Sequence, residues 1–233
     1  MICRKLGLQP GMRLLDVGCG WGGMVRHAVH HHGVEAVGVT VSRRQAEWAK
    51  QRLTDEGIAD RAEVRVQDYR DVQDGPFDAI SSIGMFEHVG LDRLHEYFAD
   101  LHSLLRPGGR LLNHAISRPG HHGQPTRFQK HGFIDRYVFP DGELHEVGTV
   151  VSAIQRHGLE VRHVESLREH YALTLRHWVA NLEEHWSGAV AAAGEARARI
   201  WRLYMAACAV GFEDDHIQVH QVLAVKTPEE SGD

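Results

Sequence analysis

Asp16-Val17-Gly18-Cys19-Gly20-Trp21-Gly22 places a carboxylate just ahead of three alternating glycines. Glycines let a backbone turn sharply and approach a ligand where a Cβ would collide. A helix opening directly after them points free N–H groups at an anion such as a carboxylate. The glycine spacing alone is shared by many nucleotide-binding turns. The acid beside it narrows the chemistry, because an ammonium group on a ligand wants a nearby negative charge. Together they suit a zwitterionic amino-acid ligand better than a pyrophosphate.

Further along, Thr40 and Gln45 stand where a dinucleotide site usually carries an acid for the ribose, and both can hydrogen-bond hydroxyls. Gln67-Asp68-Tyr69-Arg70 offers a carboxylate for an adenine amino group with an aromatic ring beside it. Asp68 as a plain turn residue is the alternative. Glu87 and His114 form a second constellation with the residue types of acid–base chemistry. A turn-opening glutamate and a satisfied core histidine are the bland readings of that pair.

These residues need elements to hold them. Short apolar runs at 13–17, 36–40, 63–66, 77–83 and 110–116 predict five strands. Helical stretches fall between them at about 23–32, 43–56 and 92–105, the second capped by Ser42. Strands alternating with helices imply a parallel sheet with right-handed crossovers. Ligands bind such sheets outside the carboxyl ends of their strands, where these motifs fall. Glu87 just past the fourth strand and His114 near the end of the fifth are placed to share one pocket.

The second half is less regular. Residues 118–145 read as a long loop, 147–157 as a helix and 159–167 as a strand. Two helical stretches at about 171–185 and 189–209 precede a closing strand at 218–226. The expectation is one α/β domain over 1–233, with a cofactor-binding half at 1–117 and a loop and helical lid at 118–217. The tail at 229–233 is expected to fray.

Composition bounds the function. The net charge of -5 argues against a nucleic-acid partner, which needs a basic surface. The three cysteines, Cys3, Cys19 and Cys208, show no CxxC pairing, so neither a disulfide framework nor a zinc cluster is indicated and a cytoplasmic setting is expected. The 19 histidines include His30-His31-His32 and His121-His122. Three consecutive histidines on a helix cannot all face one ion, so no metal site is expected. No apolar run is long enough to span a bilayer.

Longer stretches carry a family resemblance. Leu14-Leu15-Asp16-Val17-Gly18-Cys19-Gly20-Trp21-Gly22-Gly23, Gly38-Val39-Thr40-Val41-Ser42 and Gln67-Asp68-Tyr69-Arg70-Asp71 resemble the cyclopropane fatty acid and mycolic acid cyclopropane synthases. Gly84-Met85-Phe86-Glu87-His88-Val89-Gly90, Tyr137-Val138-Phe139-Pro140-Asp141-Gly142, His170-Tyr171 with Thr174-Leu175 and Trp178, and Cys208-Ala209-Val210-Gly211-Phe212 continue the match in order.

The resemblance implies a Rossmann-like S-adenosylmethionine-dependent methyltransferase fold, with a mostly parallel seven-stranded sheet and a helical lid before the last strand. It implies methyl transfer from S-adenosylmethionine to the cis double bond of a phospholipid acyl chain. The resulting carbocation closes to a cyclopropane by losing a proton. A methyl- or methylene-branched lipid, a methylated small natural product, and a cofactor-binding module inactive without a partner stay open as alternatives.

The cofactor set implied is Asp16, Gly18, Cys19, Gly20, Trp21, Gly22, Thr40, Ser42, Gln45, Gln67, Asp68 and Tyr69. The catalytic set is Glu87, His114, Tyr171 and Cys208. A bound bicarbonate is the implied base, contacted by Glu87, His114, the Ile116 backbone and Tyr171. Tyr171 and Trp178 as core aromatics, and Cys208 as a small buried residue, are the competing readings. A lipid substrate implies transient contact with the inner membrane face, and a homodimer stays open. The family carries an amino-terminal segment that covers the cofactor, and this chain is expected to lack it; Cys3 does not match that segment's cysteine.

Overall fold

The computed structural model describes residues 1–120, 132–140 and 142–228. His121-His122, Asp141 of the 137–142 motif and the tail at 229–233 lie outside the described residues. Seven strands form one sheet in the order β3-β2-β1-β4-β5-β7-β6. They are β1 (Arg13–Val17), β2 (Glu35–Thr40), β3 (Ala62–Val66), β4 (Phe77–Ile83), β5 (Leu105–Ser117), β6 (Leu159–Ser166) and β7 (Gln218–Lys226). Pairings β1 to β2, β2 to β3, β1 to β4 and β4 to β5 are all parallel. The order reverses at β1, so the chain ends of β1 and β4 open a crevice at a topological switch point.

Local chemistry explains the early elements. Leu14, Leu15 and Val17 of β1 are fully buried, as expected of a strand covered on both faces. Helix α2 (Gly23–His32) ends at Gly33, which turns left-handed and donates its N–H to the Val29 carbonyl. Helix α3 (Arg43–Asp55) starts as expected at Ser42, whose Oγ accepts the Gln45 N–H at 3.4 Å. Helix α4 (Leu94–Leu104) follows a 3₁₀ turn at Leu91–Arg93.

Several boundaries differ from the sequence reading. Helix α1 (Ile2–Leu6) precedes β1, where the chain was expected to run almost directly into the strand. Strand β5 begins at Leu105 rather than 110, because residues 106–109 bulge out between the pairs Phe77–Leu105 and Ala79–Arg110. Within the expected loop at 118–145, α5 (Phe133–Tyr137) forms a short helix. The stretch read as one helix at 189–209 is two, α8 (Trp186–Ala193) and α9 (Glu195–Glu213). Gly194 separates them with φ 82° and ψ 152°, which no helix accommodates.

The described chain divides into two compact units. Among the described residues, the first comprises 1–115, 148–164 and 221–228; the second comprises those of 116–147 and 165–220. The expected lid region is therefore not continuous, since α6 (Val147–Arg156) and most of β6 belong with the first unit. The core beside α1, α2 and α3 is built on Leu6, Leu14, Val25, Val29, Ala46, Leu53 and Val64. The second unit's core gathers Leu167 and residues of α7 (Arg168–Glu184) and α9 around Phe212. Among the described residues, no helix is long and apolar enough to cross a membrane.

Candidate active site

The turn after β1 is stitched to β2: the N–H groups of Gly18 and Cys19 both donate to the Val39 carbonyl, at 3.0 and 2.9 Å. Gly18 sits at φ 73°, and a Cβ there would lie 2.5 Å from the Met85 Cγ. Gly38 is needed for a different reason, since its Cβ would lie 2.8 Å from the Cys19 Sγ and the Val25 Cγ2. The turn closes on Gly22, the first-turn cap of α2, which makes no side-chain capping bond. The opening N–H groups of α2 therefore have no side-chain cap at Gly22, the arrangement that helix amino termini use to receive an anion.

Asp16 is buried beneath this turn and accepts the Ser81 Oγ hydrogen at 2.6 Å. Burial pushes its carboxyl up to about 7, against the opposing pull of the Ser81 hydroxyl. A cation within reach would favour the carboxylate and bring that value down again. Cys19 behaves differently from a reactive thiol. Burial, reinforced by the Asp16 charge, pushes it up to about 12, so it stays protonated.

A cleft of about 280 Å³ opens at the carboxyl ends of β1, β2, β3 and β4. Gly18, Thr40, Gln67, Asp68 and Tyr69 line it, as the sequence suggested. Met85, His88, Val89 and Arg93 also line it and were not singled out as cofactor contacts. For Met85, His88 and Val89 the signal was present, because they flank Glu87 in the 84–90 stretch just past β4; Arg93 lies beyond that stretch.

Other expected cofactor residues have local partners. Thr40 Oγ1 donates to the Gln45 Oε1 at 3.0 Å and accepts the Ser42 N–H at 3.2 Å, which fixes the β2–α3 turn. Trp21 stacks edge-on against Trp48 of α3 at 5.6 Å and keeps 52% of its surface exposed. Asp68 accepts the Arg70 backbone N–H at 3.0 Å and the Arg70 guanidinium at 2.7 Å. Those bonds to Arg70 hold its carboxyl below its ordinary value. It is both a turn residue and part of the cleft lining.

Glu87 is buried in the 3₁₀ turn Phe86–His88 that follows β4. His114 lies on β5 opposite Ile83, and its carbonyl accepts the Gly84 N–H at 2.9 Å. The two residues therefore stand at the carboxyl ends of adjacent strands of the first unit. His114 Nδ1 lies 3.1 Å from Gln221 Nε2, and Gln221 Oε1 accepts from Lys5 Nζ at 2.7 Å.

Lysine can only donate, so the amide oxygen must face Lys5 and the amide nitrogen must donate to His114. Nδ1 is then an acceptor, and the neutral ring carries its hydrogen on Nε2. Burial, with a smaller push from the Lys5 charge, lowers His114 to about 4 and keeps it neutral.

Tyr171 and Cys208 belong to the second unit, where both pack with Ile116 against Leu175, Ala209 and Phe212. The Tyr171 ring meets Phe212 edge-on at 5.0 Å and Trp178 at 6.0 Å. Burial raises the Cys208 thiol, outweighing a hydrogen bond with Tyr204. Such a thiol is no nucleophile at neutral pH.

The sequence pattern described as mycolic acid cyclopropane synthetase matches residues 1–222. A probable fatty acid methyltransferase of Mycobacterium tuberculosis is 53% identical over 233 residues, which is 100% of this chain and 54% of that protein. The cyclopropane-fatty-acyl-phospholipid synthase of Escherichia coli K12 is 36% identical over 223 residues, 96% of this chain and 56% of its own length. This chain therefore spans little more than half of those two relatives. The solved cyclopropane synthase MmaA2 of Mycobacterium tuberculosis superposes with a TM-score of 0.85 at 36% identity, covering 96% of this chain and 81% of that one. The mycolic acid cyclopropane synthase CmaA1, solved with SAH and CTAB, gives a TM-score of 0.86 at 34% identity, with 96% and 81% covered. The fold is that of the S-adenosylmethionine-dependent methyltransferases, and the chain belongs to the mycolic acid cyclopropane synthetase family.

Proposed function

We propose that this chain carries out methyl transfer from S-adenosylmethionine to the double bond of an unsaturated fatty acyl lipid, closing a cyclopropane. The observation that carries this reading is the cleft at the switch point, with a buried acid under a glycine turn and the Asp68–Tyr69 pair along its wall. These residues fit a ligand with an amino-acid end and an adenine end: Asp16 and the amino end of α2 take the first, and Gln67, Asp68 and Tyr69 the second. When bound, S-adenosylmethionine supplies an electrophilic methyl group on a positively charged sulfur. The alkene supplies the electron pair for the new carbon–carbon bond, so no side-chain nucleophile is needed. The protonated states of Cys19 and Cys208 are compatible with that chemistry.

Ring closure then requires a base to take a proton from the new methyl group. Bicarbonate fits this role in our reading. The neutral His114 ring can donate its Nε2 hydrogen to an anion's oxygen, and Glu87 can accept the bicarbonate hydroxyl. Loss of a proton elsewhere would leave a methylene branch, so base placement decides the product. Contact with a lipid surface is transient in this reading, and flotation with anionic vesicles tests it directly.

Calorimetric titration with S-adenosylmethionine, followed by incubation with labelled cofactor and unsaturated phospholipid vesicles, tests the whole proposal. Saturable binding plus label in a cyclopropane ring is the expected result. Label in a branched product would overturn ring closure, and binding without label would overturn the lipid substrate. No binding would remove the cofactor assignment.

A further inference from the structure

Among the described residues outside the cleft, a concentrated set of unassigned ligating groups lies where α1 meets α2. His27, His30, His31 and His32 crowd the second half of α2. His30 is engaged elsewhere, 2.9 Å from Glu56, which also binds the Arg26 guanidinium. His27 and His32 instead turn toward Cys3 of α1: donor atoms of all three lie within 4.8 Å of one another. A fourth soft atom adjoins them, since the Cys3 Sγ stands 3.8 Å from the Met24 Sδ.

Donors on one tetrahedral ion with bonds of about 2.0–2.3 Å are separated by roughly 3.3–3.8 Å. A ceiling of 4.8 Å therefore leaves about an ångström to be closed by side-chain rotation. The layout is graded from inside to outside. Cys3 is 2% exposed, His32 is half-buried and His27 is exposed, so an ion can arrive through imidazoles and finish on sulfur. The three consecutive histidines do not act together, in keeping with helix geometry; the second imidazole comes from His27 instead.

We propose that Cys3, His27 and His32 bind a soft, filled-shell metal ion, with Met24 as a further donor that favours Cu(I) over Zn(II). A thiolate and two imidazoles serve either ion, but a thioether is a good ligand only for the softer one. Binding replaces the thiol proton, which leaves to solvent, with a sulfur–metal bond. The site would also tie α1 to the carboxyl-terminal part of α2.

The test is anaerobic titration of the full chain with Cu(I) against a chromophoric chelator, with Zn(II) in a parallel series. One equivalent of Cu(I) should be retained. Cys3→Ser should weaken it by more than roughly 100-fold, beyond what changes outside the ligand set cost. His27→Gln and His32→Gln should weaken it as well, while His30→Gln and His31→Gln should leave it intact. Co(II) substitution should give a thiolate-to-metal charge-transfer band that Cys3→Ser abolishes.

Binding that survives Cys3→Ser, or that depends on His31 with its ring 4.5 Å from His27, would overturn the site in favour of a surface histidine pair. Preference for Zn(II), or no effect of Met24→Leu on Cu(I), would overturn the assignment to Cu(I). Should Cys3→Ser fail to fold, the His32→Gln titration and the charge-transfer band of the unaltered chain decide the question.

Discussion

The two units hold their candidate residues by different physics. In the first, each group is fixed by directed bonds: Asp16 by Ser81, Thr40 by Gln45, and His114 by a Gln221 amide that Lys5 orients. In the second, Tyr171 and Cys208 sit in an apolar cluster with Leu175, Ala209 and Phe212, where Cys208 also has a hydrogen bond with Tyr204. Hydrogen bonds fix protonation and orientation, so exchanging an atom there changes chemistry. Apolar packing fixes volume, so exchanging size there changes stability. The contrast teaches that the first unit should answer to isosteric substitutions and the second to truncations.

The largest effect expected is on turnover in the first unit. Glu87→Gln preserves shape and removes an acceptor, so turnover should fall by about 10²–10⁴-fold, the usual worth of a positioned acid–base group. Affinity for S-adenosylmethionine, measured by calorimetry, should stay within a few-fold of the unaltered chain. Normal turnover in that variant would remove Glu87 from the base site.

Next comes pH. Asp16 rises from 3.8 to about 7 on folding, so between those values the folded state holds more protons than the unfolded chain. Stability should therefore decline as pH rises from about 4 to 7 and level off above, by up to roughly 4 kcal/mol. Denaturant melts of Asp16→Asn should lack this component and bind the cofactor weakly. A slope unchanged by Asp16→Asn would assign the burial penalty to another group.

The second unit should show the converse pattern. Tyr171→Ala should cost about 3 kcal/mol in chemical denaturation, the usual range for deleting a packed aromatic. Tyr171→Phe keeps the ring contacts and removes only the hydroxyl, so any change in turnover or stability reports that group. Equal turnover in Tyr171→Phe and the unaltered chain would make Tyr171 a packing residue only.

Smaller effects should follow at Gly18 and Cys208. Gly18→Ala should weaken cofactor binding about tenfold through the 1–2 kcal/mol cost of a left-handed backbone, with further loss from the Met85 contact. Combining it with Met85→Ala should restore the contact part only. Cys208→Ala should change turnover by less than about threefold, because a thiol raised by burial does no nucleophilic work. A large loss at Cys208 would blur the contrast between the units.

Much of this was readable in the residues. Period and composition located β1 to β4 and α2 to α3 within a residue or so, because strands buried on both faces must be apolar and helices must be capped. Gly18 was legible as a backbone position, and Asp68 was legible as both turn and cleft residue. The bulge at 106–109 and the break at Gly194 were not, since neither disturbs the local apolar pattern.

The sequence by itself determined the alternation of strands and helices from β1 to β5, the glycine turn with its acid, and the family resemblance. These depend on neighbours within a few residues, where spacing and geometry are tied together. Only the tertiary structure decided protonation and pairing: Asp16 near 7, His114 held neutral by burial with its tautomer set by Gln221 from 107 residues away, and Cys3 beside two histidines of α2. Those outcomes depend on burial and on partners distant along the chain, and neither quantity exists until the sheet has brought its strands together.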